Sequence, residues 1–479
     1  MGKERVSTVD CRLARWQAWS LLALAVVIRG TALWILSDNL LDDPDGYLRL
    51  ARNVVATGTY GDWDETGETI EPTAYRPPLY PLVLAASLRL PFEWRTTVVG
   101  LHLLLGVGTV LLTLDMGQRL CLGRAGTVVA TLLVAGDPIL LVQSTLLMTE
   151  TMAAYLATLA VWGLVRAECG QVDGSRCPSG AARQVQSGHP LSLGCVAAAS
   201  GLLVAAALCR PVFLVTWAVV GPVLVRWQVS GSDRLRAILL YGLVGLVGIA
   251  PWLGRNVARF AAPIVATTHG GYTFRLGNNR SFYAYLRHAR WGTLWHGESE
   301  IVQDEEAFVR RNLPSQSRRQ REPAVDRYHY RQALAAIAED PWMFVRACIV
   351  RLGRLWQLVP HQVDPHESIG HRAARYAVGG WYAVGTLLAL GGIWRLGRRL
   401  VQPPWAWGTI LVLSVTAVHL VYWTNMRMRA PLIPQVALLA GLGGVAAGRW
   451  LWRKLFRRRH LSRNILSRTS LDRSRGWLL

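Results

Sequence analysis

The feature that most constrains this chain is a series of apolar stretches of about 17–22 residues separated by clusters of charge. Each is long enough to cross a hydrocarbon core of about 30 Å. Water is absent there, so a crossing segment must satisfy its backbone internally, as a helix or a closed barrel strand. Long unbroken runs, rather than alternations of about ten residues, select helices. Only 17% of the 479 residues are charged, whereas 52% are hydrophobic. A soluble protein of this length would divide into domains with charged surfaces. The sequence therefore predicts an all-α polytopic membrane protein.

Ten spans are expected near residues 17–37, 95–115, 125–144, 148–166, 191–209, 211–228, 237–254, 376–394, 405–423 and 430–450. The short loops bearing Arg119 and Arg124, Arg226 to Arg236 and Arg395 to Arg399 then share one side. Lys and Arg mark the cytoplasmic face, so both termini are expected there. The first apolar run is too long for a signal peptide and holds Arg29, so it reads as an uncleaved span. An arginine inside a span is costly unless it faces protein or water. The net charge of +22 does not indicate nucleic acid. Ten Lys or Arg residues lie between Arg449 and Arg475 against the single acid Asp472, which suits a cytoplasmic anchor near anionic lipid. The seven cysteines are scattered and predict no disulfide framework or zinc site. Residues 1–450 form the expected membrane domain, and 451–479 a basic cytoplasmic tail.

Two long segments, 38–94 and 255–375, are expected on the outer side. Within the second, Pro341–Pro360 is interrupted by Arg346, Arg351 and Arg354, so an interfacial helix is expected rather than a span. Glu298–Arg331 reads as a mobile charged loop with a helix, and the cytoplasmic loop Glu168–His189 as disordered.

The first outer segment carries Asp42, Asp43 and Asp45 beside a membrane exit. Tyr47, Leu50, Ala51, Val54 and Val55 then recur on one face of an amphipathic helix that ends near Gly58. Asp43 is placed to cap it, with Pro44 in the first turn. A carboxylate held at a helix start is also placed to take a proton from an attacking hydroxyl. Further on, Arg76 precedes Pro77 and Pro78, which fix its backbone. Its planar fork suits phosphate oxygens, and an arginine snorkelling at the interface is the plainer alternative. Glu150, Arg210, Arg255, Arg427 and Arg429 lie at further outer turns. Each could be ordinary alone; acids and arginines in most of the outer turns together suggest a reaction site.

At these residues the chain resembles the C-type membrane glycosyltransferases, nearest the protein O-mannosyltransferases and the aminoarabinose transferases of lipid A. The resemblance rests on Asp43-x-x-x-Tyr47, Arg76-Pro-Pro-Leu-Tyr80-Pro, Met148-Thr-Glu150, Arg210-Pro211, Pro251-Trp252-Leu-Gly-Arg255-Asn256, Leu276-Gly-Asn-Asn and Arg427-Met-Arg429-Ala-Pro431, and covers about residues 20–450. In the first motif Pro44 separates Asp43 from Asp45, and His269 stands where the family leads one to expect Asn. The resemblance implies a GT-C-like bundle of about 10–12 transmembrane helices with outer amphipathic helices. It implies an inverting transferase in a bacterial-type inner membrane. Such an enzyme moves a sugar from a polyprenyl-phosphate donor to an acceptor hydroxyl at the outer face. Asp43 or Asp45 would be the base and Glu150 would orient it or the acceptor. Arg76, Arg255, Arg427 and Arg429 would hold the donor phosphate, and Tyr47, Tyr80 and Trp252 would contact lipid or sugar. No cofactor is required, although acidic clusters could bind a divalent metal. The acceptor, whether glycan, lipid or protein, stays open. The rival expectation is a transporter or flippase of a lipid-linked glycan, with acids or broken helices near mid-membrane, where Asp115 and Asp137 are the candidates.

Overall fold

The computed structural model describes residues 12–64, 66–169, 191–228, 233–289, 295–314, 316–362 and 366–448, together with the backbone at Thr8–Val9 and Cys177–Pro178. All ten expected spans are helical. They are α1 (Arg15–Ile35), and, after α2 (Tyr47–Thr57) and α3 (Leu79–Ser87), α4 (Trp94–Arg119), the pair α5 (Gly123–Ala135) and α6 (Pro138–Ser144), α7 (Glu150–Cys169), α8 (Leu193–Cys209), α9 (Phe213–Gln228) and α10 (Arg234–Phe260). The second hydrophilic segment supplies α11 (Gly270–Gly277), α12 (Arg280–His288), α13 (Glu298–Asn312), α14 (Arg318–Glu339) and α15 (Pro341–Leu355). The chain then returns to the bundle through α16 (Ile369–Leu396), α17 (Trp405–Val421) and α18 (Met426–Gly448). Among the described residues six helices are long and apolar enough to cross a membrane, α8, α9 and α17 are shorter apolar helices, and α5 with α6 is a pair bent by 41°.

The bend follows from the sequence Gly136-Asp137-Pro138. Proline cannot supply the N–H that a continuing helix needs. The Asp137 carboxylate caps the new start instead, accepting from the Leu140 N–H at 3.0 Å. Arg29 reaches this break from α1. It is buried, passes Gly106 of α4, and donates from Nη2 to the Val134 carbonyl at 2.9 Å. A guanidinium inside a span is thus kept away from lipid.

Small residues let the bundle close. A Cβ at Gly392 of α16 would strike the Leu439 carbonyl of α18, and one at Gly443 would strike that of Leu388. Gly441 meets Gly126 of α5 in the same way. Lipid tails are as apolar as the helices, so close backbone approach supplies packing that hydrophobicity cannot. Exposed Leu235, Leu239, Leu243 and Leu246 form one outward stripe on α10, as a lipid-facing helix requires.

Both hydrophilic segments gather at one end of this bundle. Two short antiparallel pairs join extended segments: β1 (Thr8–Val9) pairs with the later β4 (Cys177–Pro178), and β2 (Gly61–Trp63) with β3 (Ile70–Pro72). Within 341–360 the first 15 residues, Pro341–Leu355, form α15. It exposes Trp342, Val345, Ile349 and Leu352 while burying Arg351, the pattern of an interfacial helix.

Four expectations are corrected. The first-loop helix starts at Tyr47, because Gly46 takes a left-handed φ of 72° that ends the preceding turn. Asp43 and Pro44 therefore lie outside it, although Asp43 Oδ2 still accepts the Arg49 N–H of its first turn at 2.9 Å. On that helix Val55 is exposed and Leu48 buried, reversing the expected face at those two positions. Glu298–Arg331, expected as a loop with one helix, supplies α13 and most of α14, and Glu322 and Asp326 of α14 accept hydrogen bonds from Thr73, Thr268 and Gly271. Finally, Cys121 is disulfide-bonded, whereas Cys195, Cys209 and Cys348 are free. Most of Glu168–His189 and the tail 451–479 lie outside the described residues.

Candidate functional site

The first hydrophilic segment is seated on the bundle by α2 and α3. Tyr47, Leu48 and Ala51 of α2 and Tyr80 and Leu84 of α3 share one buried core with Met152 and Ala153 of α7 and Leu203 of α8. Tyr80 meets Tyr47 edge-on at 5.4 Å. Its hydroxyl lies 2.9 Å from His102 Nε2, and His102 Nδ1 lies 2.7 Å from the Ser144 carbonyl. A carbonyl only accepts, so Nδ1 carries the proton and Nε2 accepts from the tyrosine. Tyr80 is thereby a buried support rather than a surface, and His102 is a part of the site that hydropathy gave no reason to select.

Two ion pairs flank Tyr47. In the first, Arg76 Nη2 lies 2.8 Å from Asp45 Oδ1 and its Nε donates to the Asp45 carbonyl at 3.0 Å. Arg76 also lies over the rings of Tyr47 and Tyr75 at 5.6 and 5.1 Å. In the second, Arg210 Nη1 lies 2.8 Å from Glu150 Oε1, and Arg427 Nε lies 3.6 Å from the same oxygen. Glu150 Oε2 and Arg427 Nε are buried without a hydrogen-bond partner. Burial raises the Tyr47 hydroxyl above its ordinary range, while Arg76 and Arg210 oppose that rise and Asp45 and Glu150 add to it. Tyr47 thus lies within electrostatic reach of both pairs.

The two aspartates differ. Asp45 gives its Oδ1 to Arg76 and lines a cavity of about 660 Å³. Asp43 holds one oxygen on the Arg49 N–H, and its other oxygen is buried and unpartnered. The cavity lies between the two hydrophilic segments, with Tyr75 and Arg76 on one wall and Glu305, Arg318 and Glu322 on the other. Glu322 closes its floor. Its Oε1 accepts from Thr73 Oγ1 at 2.6 Å and from Thr268 Oγ1 at 2.9 Å. Burial raises this carboxyl above its usual range, against the hydrogen bonds that hold it down. Beside the cavity His269 lies 4.4 Å from the Tyr75 ring and 5.3 Å from that of Tyr272. Burial, then the charges of Arg76 and His329, lower it to about 3, so it is neutral.

Not every residue selected from sequence joins this centre. Arg255 donates to the carbonyls of Thr73 at 2.8 Å and Tyr60 at 2.5 Å and to Asn256 Oδ1 at 2.8 Å. It ties the first segment to the end of α10. Trp252 donates to the Ala266 carbonyl at 2.8 Å and packs edge-on against Tyr60. Arg429 donates to the carbonyls of Leu355 and Gln357 and lies 4.2 Å over the Tyr382 ring. Arg210, which the sequence placed at an outer turn without selecting it, is the residue that completes the centre. Its signal was the Arg-Pro step closing an apolar run. Among the described residues no group of three or more His, Cys, Asp or Glu side chains could hold a metal ion.

No family model matches the chain, and no curated protein matches it. Solved structures do. One is an archaeal oligosaccharyltransferase from Archaeoglobus fulgidus in complex with an inhibitory peptide and a dolichol-phosphate, at 14% identity and TM-score 0.47, covering 97% of this chain and 52% of that one. Another is ArnT from Cupriavidus metallidurans bound to undecaprenyl phosphate, at 18% identity and TM-score 0.40, covering 90% and 78%. A third is the arabinosyltransferase EmbB from Mycobacterium smegmatis, at 14% identity and TM-score 0.37, covering 91% and 42%. This chain spans about half the length of the oligosaccharyltransferase chains it matches. A likeness this remote leaves the chemistry to be argued from the side chains.

Proposed function

We propose that this protein is a membrane glycosyltransferase of the C-type family. It takes a sugar from a polyprenyl-phosphate donor and passes it, with inversion, to an acceptor hydroxyl at the outer face. The observation that carries this reading is the pairing of acids and arginines around Tyr47, with Glu150 buried among them, at the end of an apolar bundle and beside a polar cavity. A phosphate-linked lipid needs that combination: an apolar body for the chain, guanidinium groups for the head, and a wet opening for the acceptor.

Asp43 takes the acceptor proton. Its Oδ1 has no hydrogen-bond partner and its carboxylate is in no ion pair among the described residues, whereas that of Asp45 is tied to the Arg76 guanidinium. The acceptor oxygen bonds the anomeric carbon as the bond from that carbon to the phosphate oxygen breaks, and the phosphate keeps the electron pair. Arg76, Arg427 and Arg210 stabilise the charge that grows on the leaving phosphate. Glu150 holds the two latter arginines in place, while Arg255 fixes the loop that aims Arg76. No step needs a metal. Asp43→Asn should slow transfer from a polyprenyl-phospho-sugar in vitro by about 10²–10⁴ while donor binding survives; full turnover in that variant sinks the assignment.

A second reading, a transporter of a lipid-linked glycan, is favoured by the break between α5 and α6 at buried Asp137. Proteoliposomes separate the two: a transporter moves the lipid-linked glycan without an acceptor product, whereas the transferase releases glycosylated acceptor.

A further inference from the structure

Below the centre, a narrow groove opens between α5, α16 and α18. One wall is a stripe of Ile433, Val436, Ala437 and Ala440, all on one face of α18. At its upper end stand Arg429, Asp137 and Tyr382. Arg429 is buried, and its Nη2 has no hydrogen-bond partner. Asp137 accepts from the Tyr382 hydroxyl at 3.0 Å and lies within electrostatic reach of both Arg429 and Arg29. Arg29 is equally buried, with Nε unpartnered. Two guanidinium groups therefore face one carboxylate, which leaves one positive charge over. An uncompensated charge in an apolar surrounding is costly.

We propose that this groove holds one monoanionic glycerophospholipid, with its phosphodiester at Arg429 and an acyl chain along the stripe to Ala440. The charge of a phosphodiester balances the surplus. The length also fits: from Arg429 to Ala440 the helix rises about 17 Å, close to half of a hydrocarbon core of about 30 Å. That is the reach of an acyl chain in one leaflet, much shorter than a long polyprenyl chain. The site does not depend on the transfer reaction, and its test needs no turnover.

The purified full-length protein in detergent is mixed with phosphatidylglycerol or with phosphatidylcholine of the same acyl chains, then examined by native mass spectrometry. One phosphatidylglycerol per chain should be retained, and phosphatidylcholine about tenfold less. Arg429→Ala and Val436→Trp, which act on opposite ends of the site, should each reduce retention about tenfold, while Arg429→Lys keeps it. Variants are compared only where size-exclusion and melting profiles match the parent. Equal retention of the two lipids overturns the proposal, as does undiminished retention in both variants. Displacement of phosphatidylglycerol by one equivalent of polyprenyl phosphate would also overturn it, by making the groove part of the donor site.

Discussion

Arg210 Nη1 lies 2.8 Å from Glu150 Oε1, joining the end of α8 to the start of α7. Glu150 is almost wholly buried, so losing Arg210 leaves it only the more distant Arg427, and losing Glu150 leaves Arg210 and Arg427 with no carboxylate between them. Arg210→Ala and Glu150→Gln should each lower stability by about 3–5 kcal/mol. The double variant should lose less than the sum, because neither charge is then stranded. Thermal unfolding in detergent, run as a double-mutant cycle, measures the coupling; additive losses would deny it.

Asp43→Asn should reduce transfer by about 10²–10⁴. Asp45→Asn should act differently, releasing Arg76 from its carboxylate and leaving a base in place. A radiolabelled-sugar transfer assay distinguishes the two. Equal losses of turnover would return the choice of base to the pair.

Arg76→Ala should weaken binding of polyprenyl phosphate about tenfold or more, since a guanidinium fork is lost from the head. Arg255→Ala should weaken donor binding less than Arg76→Ala does and lower stability by about 1–3 kcal/mol, because the Thr73 carbonyl loses its donor and that of Tyr60 keeps only the Thr73 N–H. Lipid titration and melting curves on both variants show whether the two effects separate.

His269 gives the outer segments a pH dependence with a definite sign. Its folded value, about 3, lies below its ordinary 6.5, so the unfolded chain takes up a proton that the folded chain refuses. Its contribution is complete above about pH 6.5 and is lost as pH falls toward the folded value. Within that window the slope approaches about 1.4 kcal/mol per pH unit. His269→Phe should flatten the acid limb of a melting-temperature profile between pH 7 and 5, and an unchanged limb would count against this origin.

Gly443→Ala should lower stability by about 1–3 kcal/mol, as its Cβ must push α18 off the Leu388 carbonyl of α16. Gly385→Ala, on the same α16 but with nothing within 4 Å of an added Cβ, is the control.

The bundle was legible because each span is encoded locally, by about twenty consecutive apolar residues. All ten stretches were found, yet the break at Asp137 was read through, although Gly136-Asp137-Pro138 spells a helix stop and restart. Candidate chemistry was legible only as residue types at turns. Arg255 and Arg427 looked equivalent in sequence; one donates to three oxygens, and the other reaches Glu150 through an Nε that makes no hydrogen bond. That difference is set by the partners the fold supplies. Glu322 could not have been chosen, because Thr73 lies 249 positions away from it.

That last bond has a consequence for assembly. Glu322 secures Thr73, Ala74 and Thr268 together, so the entry helices and their acids can be in the membrane long before the residue that fastens them has been synthesised. During biogenesis the first loop passes through a stage in which its spans are inserted but its far side is unlatched. The candidate site is therefore a late product of translation, since Glu322 of α14 and then Arg427 of α18 are made long after the carboxylates themselves.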